Sequence, residues 1–246
     1  MQNNLRLALA GGLAGAVIAV AAIVGLSLTG NLPGGYSDQK VSDFLMTHPD
    51  ILAAMSAKLQ MQQETEDMAH RQAAVDKLGL KAFFNPKVAF VTGPENAKVT
   101  LVEFFDYNCV HCRNSLAAMK TFYAAHKDVR YAFIDFPIFG DDSLLAARAA
   151  IAARKQPDKY VDFHFALMGS NGPANADSIF AAARTAGIDM KKLQADMNDP
   201  ALPGKIEAAH ALGQAAAVDG TPTFIVNGKV RPGEVTDALL AKMAKG

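Results

Sequence analysis

The stretch Glu103-Phe-Phe-Asp-Tyr-Asn-Cys-Val-His-Cys112 contains the only two cysteines of this 246-residue chain. A disulfide between Cys109 and Cys112 would close a loop of only a few residues. A loop this short removes little entropy from the unfolded chain, so the bond would stabilise the fold weakly. The pair is therefore more consistent with a reactive dithiol than with a structural crosslink.

The residues on either side of the pair predict a strand that turns into a helix. Val99–Phe105 is apolar and β-branched, and apolar residues recur at helical spacing after Cys112. Cys109 should then lie at the helix N-terminus, where free N–H groups and the helix dipole favour an anion. This predicts Cys109 as an exposed nucleophile of low pKa and Cys112 as the resolving thiol. A charged His111 between them would stabilise the thiolate further.

Each of these residues has an alternative interpretation. A CxxC pair can be half of a zinc site, although such a site needs about four ligands and the chain has no further cysteine. His111 is also compatible with an ordinary solvated helix residue. Glu103 is a carboxylate on an otherwise apolar strand. It either points to solvent at the strand's end or lies beneath the cysteines as a proton acceptor.

A second motif lies far downstream, in Val218-Asp-Gly-Thr-Pro-Thr-Phe-Ile-Val-Asn-Gly-Lys229. It predicts a loop, a short strand, an Asn-Gly hairpin turn and the start of another strand. Pro222 comes directly before the apolar strand Thr223–Val226. A proline is allowed at the first residue of a strand without any special role.

Together the two motifs resemble the DsbA family of thioredoxin-fold oxidoreductases, and most closely its ScsC-like branch. The resemblance covers residues 85–246 well and residues 38–84 loosely. It implies that Cys109 is the nucleophile, Cys112 the resolving thiol and Glu103 the family's acidic residue. It also implies that Pro222 follows a cis peptide bond and faces the disulfide, and that Thr221 pairs with extended substrates and tunes the thiolate.

Two departures from the family pattern concern the direction of electron flow. DsbA itself has a proline before the histidine, whereas this chain has Val110. Thr221 is more typical of the isomerase and reductase branches than of the strong oxidant. The resemblance therefore leaves oxidase, reductase and isomerase open.

Composition excludes some other classes of function. Half of the residues are hydrophobic, and 24 basic and 24 acidic residues give zero net charge. This length can hold one domain of about 160–190 residues with extensions, and the neutral balance gives no support for a polyanion-binding protein. The chain shows no internal repeat and no phosphate-binding loop, so we expect neither a bound cofactor nor a nucleic-acid partner.

The N-terminus predicts export from the cytoplasm. Residues Leu7 to Leu28 carry no charge and follow Arg6. About 20 apolar residues can span a bilayer, and a preceding positive charge predicts a cytoplasmic N-terminus. A signal peptide cleaved near Ala19-Val-Ala21 is the alternative. In both cases the catalytic domain reaches a compartment where disulfides persist, which predicts a periplasmic or extracytoplasmic protein.

We predict three regions along the chain. Residues 1–30 are a membrane anchor or signal peptide, 31–84 a linker and helical extension, and 85–246 an α/β thioredoxin-like domain with a helical insertion at about 140–217. In the extension, Thr47-His-Pro-Asp50 marks a helix restart. This extension either packs on its own domain or mediates oligomerisation. The ScsC-like resemblance favours a homo-oligomer and is compatible with a trimer.

The leading hypothesis is an extracytoplasmic thiol–disulfide oxidoreductase. Its expected partners are unfolded or misoxidised proteins and a membrane redox partner. The alternative is a protein that binds or delivers a soft metal such as Cu(I) through Cys109, His111 and Cys112.

Overall fold

The computed structural model describes residues 38–245, so the predicted anchor or signal segment over 1–30 lies outside the described residues. Within the described residues, no helix is both long enough and apolar enough to cross a membrane. The chain divides into two compact units, of which the first ends at Glu64 and the second begins at Thr65.

The first unit is helical where it is described. Helix α1 spans Asp38–Thr47 and helix α2 spans Pro49–Leu78. The predicted restart is confirmed, because Pro49 opens α2 at a position where a missing N–H costs no helical hydrogen bond. None of residues 38–64 is buried, although many are apolar. The large apolar side chains exposed there include Val41, Phe44, Met46, Leu52, Met55 and Leu59.

The second unit is built on a five-stranded sheet with the strand order β1-β3-β2-β4-β5. The strands are β1 Phe90–Thr92, β2 Thr100–Phe105, β3 Arg130–Asp135, β4 Thr223–Val226 and β5 Lys229–Pro232. Strands β2 and β3 are parallel, and the other neighbours are antiparallel. The strands predicted before Cys109, after Pro222 and after the Asn-Gly turn are confirmed as β2, β4 and β5. Strand β1 was missed because three residues are too few to show an alternating pattern.

The second unit also contains a series of helices. They are α3 Val110–Ala125, α4 Asp141–Ala153, α5 Pro157–Met168, α6 Ala176–Thr185, α7 Met190–Asp196, α8 Leu202–Ala215 and α9 Asp237–Lys245, with a short 3₁₀ helix at Leu80–Ala82. Helices α4 to α8 lie between β3 and β4 and form the predicted helical insertion. The fold class is therefore an α/β thioredoxin-like fold with inserted helices.

The two faces of the sheet carry separate cores. Leu101, Phe105 and Phe133 lie in the core that also contains both cysteines and much of the insertion. Val102 and Phe104 lie in the other core, which also receives Val75 of α2 and Ala209 of α8. The reactive pair therefore lies on one defined face of the sheet.

One close approach in the second core requires a glycine. A Cβ atom at Gly213 of α8 would lie 2.4 Å from a ring carbon of Phe136. Real Cβ atoms do not approach a ring so closely. The absence of a side chain at Gly213 therefore lets α8 pack directly on this ring.

The end of α2 is bound to the loop before β4. The Arg71 guanidinium donates to the backbone oxygen of Ala217 at 2.8 Å and to the two carboxylate oxygens of Asp219 at 2.7 and 2.5 Å. The Gln72 amide donates to the backbone oxygen of Gly228 at 2.7 Å and accepts from the N–H of Val230 at 3.1 Å. These contacts hold the segment that leads into Thr221 and the hairpin that follows it.

Candidate active site

Cys109 is the N-cap residue of helix α3, as its sequence context predicts. Its own N–H donates to the backbone oxygen of Asp106 at 3.1 Å, and its carbonyl accepts from the N–H of Arg113 at 3.2 Å. The first N–H groups of a helix have no partner within the helix, so they are available to a negative charge at this end.

Both cysteines are free thiols, and each is only 1% exposed. The prediction of an exposed Cys109 is therefore wrong. The reason is the loop before β4, since the Cys109 thiol donates to the backbone oxygen of Thr221 at 3.1 Å. The neighbouring Val110 is 60% exposed, so the surface beside the sulfur is apolar and open.

The Thr221–Pro222 peptide bond is cis, as the family resemblance implied. The Thr221 hydroxyl is buried and has no hydrogen-bond partner in the described structure of the reduced protein. The backbone oxygen of Thr221 favours the protonated thiol, because an acceptor stabilises an S–H donor. Once Cys109 ionises, the Thr221 hydroxyl can donate to the thiolate, which lowers the pKa of Cys109.

The two thiols differ strongly in acidity. The hydrogen bond from the Cys112 thiol lowers the pKa of Cys109 to about 5, with smaller contributions from Thr221 and from the backbone N–H groups of Cys112 and His111, and burial opposes this shift. Burial raises the pKa of Cys112 well above its ordinary value, and the hydrogen bond to Cys109 adds to the rise. At neutral pH the site therefore holds a thiolate at Cys109 and a thiol at Cys112.

Glu103 is buried in β2, between Leu101 and Phe105 of the core that contains both cysteines, and does not face solvent. It is 2% exposed and stands between Phe133 and Phe224 on the adjacent strands. Its Oε2 atom has no hydrogen-bond partner in the described structure, and burial raises its pKa to about 8. A charge on Glu103 also raises the pKa of Cys112, which is consistent with the predicted place of this carboxyl beneath the pair.

His111 is bound by a residue that the sequence analysis did not single out. Its Nδ1 lies 2.6 Å from Oε1 of Glu234, which follows β5, and Asn114 donates to the same oxygen at 2.8 Å. The hydrogen bond to Glu234 raises the pKa of His111, and the nearby Cys109 thiolate adds to the rise. His111 is therefore neither an unpaired solvated residue nor a cation free to act on the sulfur alone.

Asp106 is a second functional residue without an assigned role in the sequence analysis. Its carboxylate accepts from the N–H groups of Asn108, Ile138 and Phe139 at 2.8, 2.7 and 3.1 Å and from the Ser143 hydroxyl at 2.7 Å. It thereby ties the turn before Cys109 to the loop after β3. The local signal was an Asp two residues before the N–H that it accepts, a pattern typical of turns.

A CxxC pair at a helix N-terminus, buried under a Thr-cis-Pro loop and above an acidic residue in the sheet, defines a thioredoxin-fold dithiol protein. The sequence comparisons agree with this geometry. The chain belongs to the Thioredoxin family, whose model matches residues 86–245.

Solved structures of dithiol proteins share this fold. A thioredoxin-like oxidoreductase from Silicibacter pomeroyi DSS-3 is 40% identical, with a TM-score of 0.62 over 68% of this chain and 96% of that one. The thiol-disulfide exchange protein alpha-DsbA2 from Wolbachia pipientis is 27% identical, with a TM-score of 0.66 over 74% and 97%. A periplasmic thioredoxin-like protein from Salmonella enterica serovar Typhimurium is 27% identical, with a TM-score of 0.56 over 67% and 95%.

The ScsC-like resemblance is reflected in the fold. A Proteus mirabilis ScsC variant is 23% identical and has a TM-score of 0.64 over 83% of this chain and 90% of that one. The predicted resemblance to DsbA-like thioredoxin-fold proteins is confirmed, and ScsC is among the structural neighbours.

Curated relatives include proteins of very different length. The disulfide bond formation protein D of Bacillus subtilis is 29% identical over 151 residues, which are 57% of this chain and 68% of that protein. The Na(+)/H(+) antiporter NhaA of Herminiimonas arsenicoxydans is 29% identical over 148 residues, which are 59% of this chain. The chain spans 23% of the length of that antiporter.

Proposed function

We propose that the chain is an extracytoplasmic thiol–disulfide oxidoreductase that acts on protein disulfides through Cys109 and Cys112. The observation that supports this most directly is the placement of Cys109 at the N-terminus of α3, in contact with the cis Thr221–Pro222 loop. The opposite shifts of the two thiol pKa values agree with this placement. The pKa of Cys109 falls to about 5, whereas the pKa of Cys112 rises. A structural pair has no need of one ionised and one protonated sulfur.

The reaction follows from this asymmetry. The Cys109 thiolate attacks one sulfur of a substrate disulfide, a mixed disulfide forms, and the other substrate sulfur leaves as a thiolate. Cys112 then loses its proton and attacks the Cys109 sulfur, which releases the second substrate thiol. The substrate gains two electrons from the dithiol, one proton from Cys112 and a second proton from water, and the protein is left with a Cys109–Cys112 disulfide. Substrate oxidation runs through the same steps in reverse.

Glu103 is proposed as the acceptor of the Cys112 proton. With a pKa of about 8, it titrates near neutral pH rather than far below it. A group whose pKa is close to the working pH can both take up and return a proton. Its burial beside an otherwise inert thiol supports this role.

The finer activity is proposed to be that of a reductase or isomerase. Thr221 and Val110 both depart from the pattern of the dedicated oxidase. A strand-like substrate segment would pair with the backbone beside Thr221, which favours broad recognition of unfolded or misoxidised proteins. A membrane redox partner would then restore the dithiol or the disulfide.

We propose that the first unit mediates homo-oligomerisation, with a trimer as one possible assembly. Side chains such as Phe44, Leu52 and Met55 are exposed in a unit that has no buried residue between 38 and 64. Exposed apolar groups on one short segment are typical of an interaction surface. Light scattering should give a mass of more than one chain for the wild type. L52E combined with M55E should reduce that mass to one chain, whereas the exposed control K58E should not.

Export is proposed from the uncharged segment Leu7 to Leu28. It would anchor the protein in the inner membrane or be removed as a signal peptide. The periplasmic relative from Salmonella supports this compartment. Fractionation of cells that produce the full chain should place the catalytic domain outside the cytoplasm, and a cytoplasmic pool alone would contradict the proposal.

The central experiment traps the intermediate. Cys112→Ser should accumulate mixed disulfides on Cys109 in an extracytoplasmic extract, visible as reducible high-mass species on a non-reducing gel. Cys109→Ser is the matched control and should trap none. If C112S also traps none, the proposed chemistry is wrong.

The soft-metal alternative has less support. Among residues 38–245, no group of three or more His, Cys, Asp or Glu side chains is placed to hold a metal ion. His111, the third predicted ligand, instead contacts Glu234. Stoichiometric Cu(I) binding by the reduced protein, lost in H111N, would favour this alternative.

A further inference from the structure

The connection between β5 and α9 links the proline loop to helix α3. The N–H of Gly233 donates to the backbone oxygen of Pro222 at 2.8 Å. Two residues later, the N–H of Val235 donates to the Ser115 hydroxyl at 3.2 Å. That hydroxyl itself donates to the backbone oxygen of His111 at 3.0 Å. The residue between these anchors, Glu234, is therefore held at a fixed place beside the first turn of α3.

Glu234 binds two side chains of that helix through one oxygen. Its Oε1 lies 2.6 Å from Nδ1 of His111 and accepts from Nδ2 of Asn114 at 2.8 Å. The side chains of His111 and Glu234 are 62% and 44% exposed. An ion pair this exposed contributes little to stability, so its presence is better explained by its position beside the reactive sulfur.

We infer that Glu234 is a positioning residue for the dithiol site, which holds the His111 imidazolium and offsets its positive charge. A stabilised thiolate favours the reduced form of a dithiol pair and makes its disulfide more oxidising. By offsetting the imidazolium, Glu234 makes the Cys109–Cys112 disulfide a weaker oxidant. The inference rests on the proposed role of Cys109 as the nucleophile and adds a residue that tunes how oxidising the Cys109–Cys112 disulfide is.

The surrounding groups determine the sign of the effect. His111 is influenced by Glu234 from the β5–α9 connection and by Cys109 from its own helix. Cys109 titrates near pH 5, and the ordinary pKa of His111 is 6.5. The imidazole is therefore protonated during the Cys109 titration whether or not Glu234 is present. At that pH, replacing Glu234 with Gln leaves the imidazolium charged but no longer held by a carboxylate. Its positive charge is then free to stabilise the Cys109 thiolate.

The test is a pH titration of the Cys109 thiolate in the reduced full chain, monitored as the absorbance at 240 nm. A charge several ångströms away through water shifts a pKa modestly, so E234Q should lower the Cys109 midpoint by about 0.3–0.5 pH unit. The equilibrium constant with glutathione should shift about two- to threefold in favour of the reduced protein. The exposed control E207Q on α8 should change neither value. The His111 imidazole midpoint, measured by NMR, should fall in E234Q toward its ordinary value.

The same substitution made in a His111→Asn variant tells whether Glu234 acts through the His111 imidazolium or only through its own negative charge. There, E234Q should shift the Cys109 midpoint by less than half as much, because no imidazolium is released. Equal shifts in both backgrounds, an unchanged midpoint or a raised one would overturn the inference. The titration does not require turnover. A shift in E234Q with no mixed disulfide trapped by C112S would therefore uphold the role of Glu234 while the proposed enzymatic function fails.

Discussion

The burial of Glu103 should destabilise the folded protein at neutral pH, and Glu103→Gln should remove that cost. The ordinary pKa of this carboxyl is 4.5, and burial raises it to about 8. The folded state therefore binds the Glu103 proton more tightly than the unfolded state does. The contribution of Glu103 to the stability of the folded state is most favourable below pH 4.5, and it is lost as the pH rises from 4.5 through 8.

The size of the effect follows from the two pKa values. At about 1.36 kcal/mol per pKa unit, the penalty reaches roughly 5 kcal/mol well above pH 8. It is roughly 3 kcal/mol at pH 7 and about 1 kcal/mol at pH 5. The E103Q variant avoids this penalty at every pH. It does place a buried amide without partners, at a cost of about 1–3 kcal/mol that hardly changes with pH.

The assay is urea unfolding of the reduced protein at pH 5 and pH 7. The stability of E103Q relative to wild type should increase by roughly 2–3 kcal/mol between the two pH values. Because only this difference is used, the constant cost of the amide cancels. The exposed control E207Q should show no such increase. A relative stability of E103Q that stays within about 0.5 kcal/mol from pH 5 to pH 7 would refute the reasoning.

Three further predictions concern other residues. Alkylation of the reduced protein by iodoacetamide should occur at Cys109 with a half-maximal rate near pH 5, as followed by mass spectrometry; a midpoint above pH 8 would contradict the assigned thiolate. Arg71→Ala should lower the free energy of unfolding in urea by about 1–2 kcal/mol, since it removes the hydrogen bonds to Asp219 and to the backbone of Ala217. Arg71→Lys should recover only part of this stability, because a lysine ammonium cannot bind both carboxylate oxygens as a guanidinium does. Gly213→Ala should cost about 1–3 kcal/mol by forcing the Phe136 ring to move; unchanged thermal unfolding would show that the ring yields freely.

The elements that carry local signals could be predicted from the sequence. The β2–α3 junction was predicted because an apolar strand, a polar turn and helical spacing follow one another directly around Cys109. The helical insertion was predicted as a region at about 140–217, and its helices lie between Asp141 and Ala215. Within the insertion, Pro157 begins a helix at its first position, where a proline is well tolerated.

The contacts that finish the site could not be predicted in this way. Glu234 is 123 residues from His111, and Arg71 is 148 residues from Asp219. An exposed Glu or Arg on its own predicts only a solvated surface, and nothing local identifies its partner. The burial of Cys109 was missed for the same reason, because the Thr221 loop that covers it arrives from the far end of the chain.

The Gln72 amide also occupies part of one edge of the sheet, at β5. The outermost strand of a sheet offers unpaired N–H and C=O groups to which an extended polypeptide can add itself, which is a common start of aggregation. Here the Gly228 oxygen and the Val230 N–H are already bound by one side chain, and β5 ends at Pro232, which has no N–H to offer. A protein proposed to handle unfolded polypeptides would meet many such segments. If the chain handles unfolded polypeptides as proposed, an extended client meets an edge that is partly occupied at β5, which favours the backbone beside Thr221 as the place where it pairs.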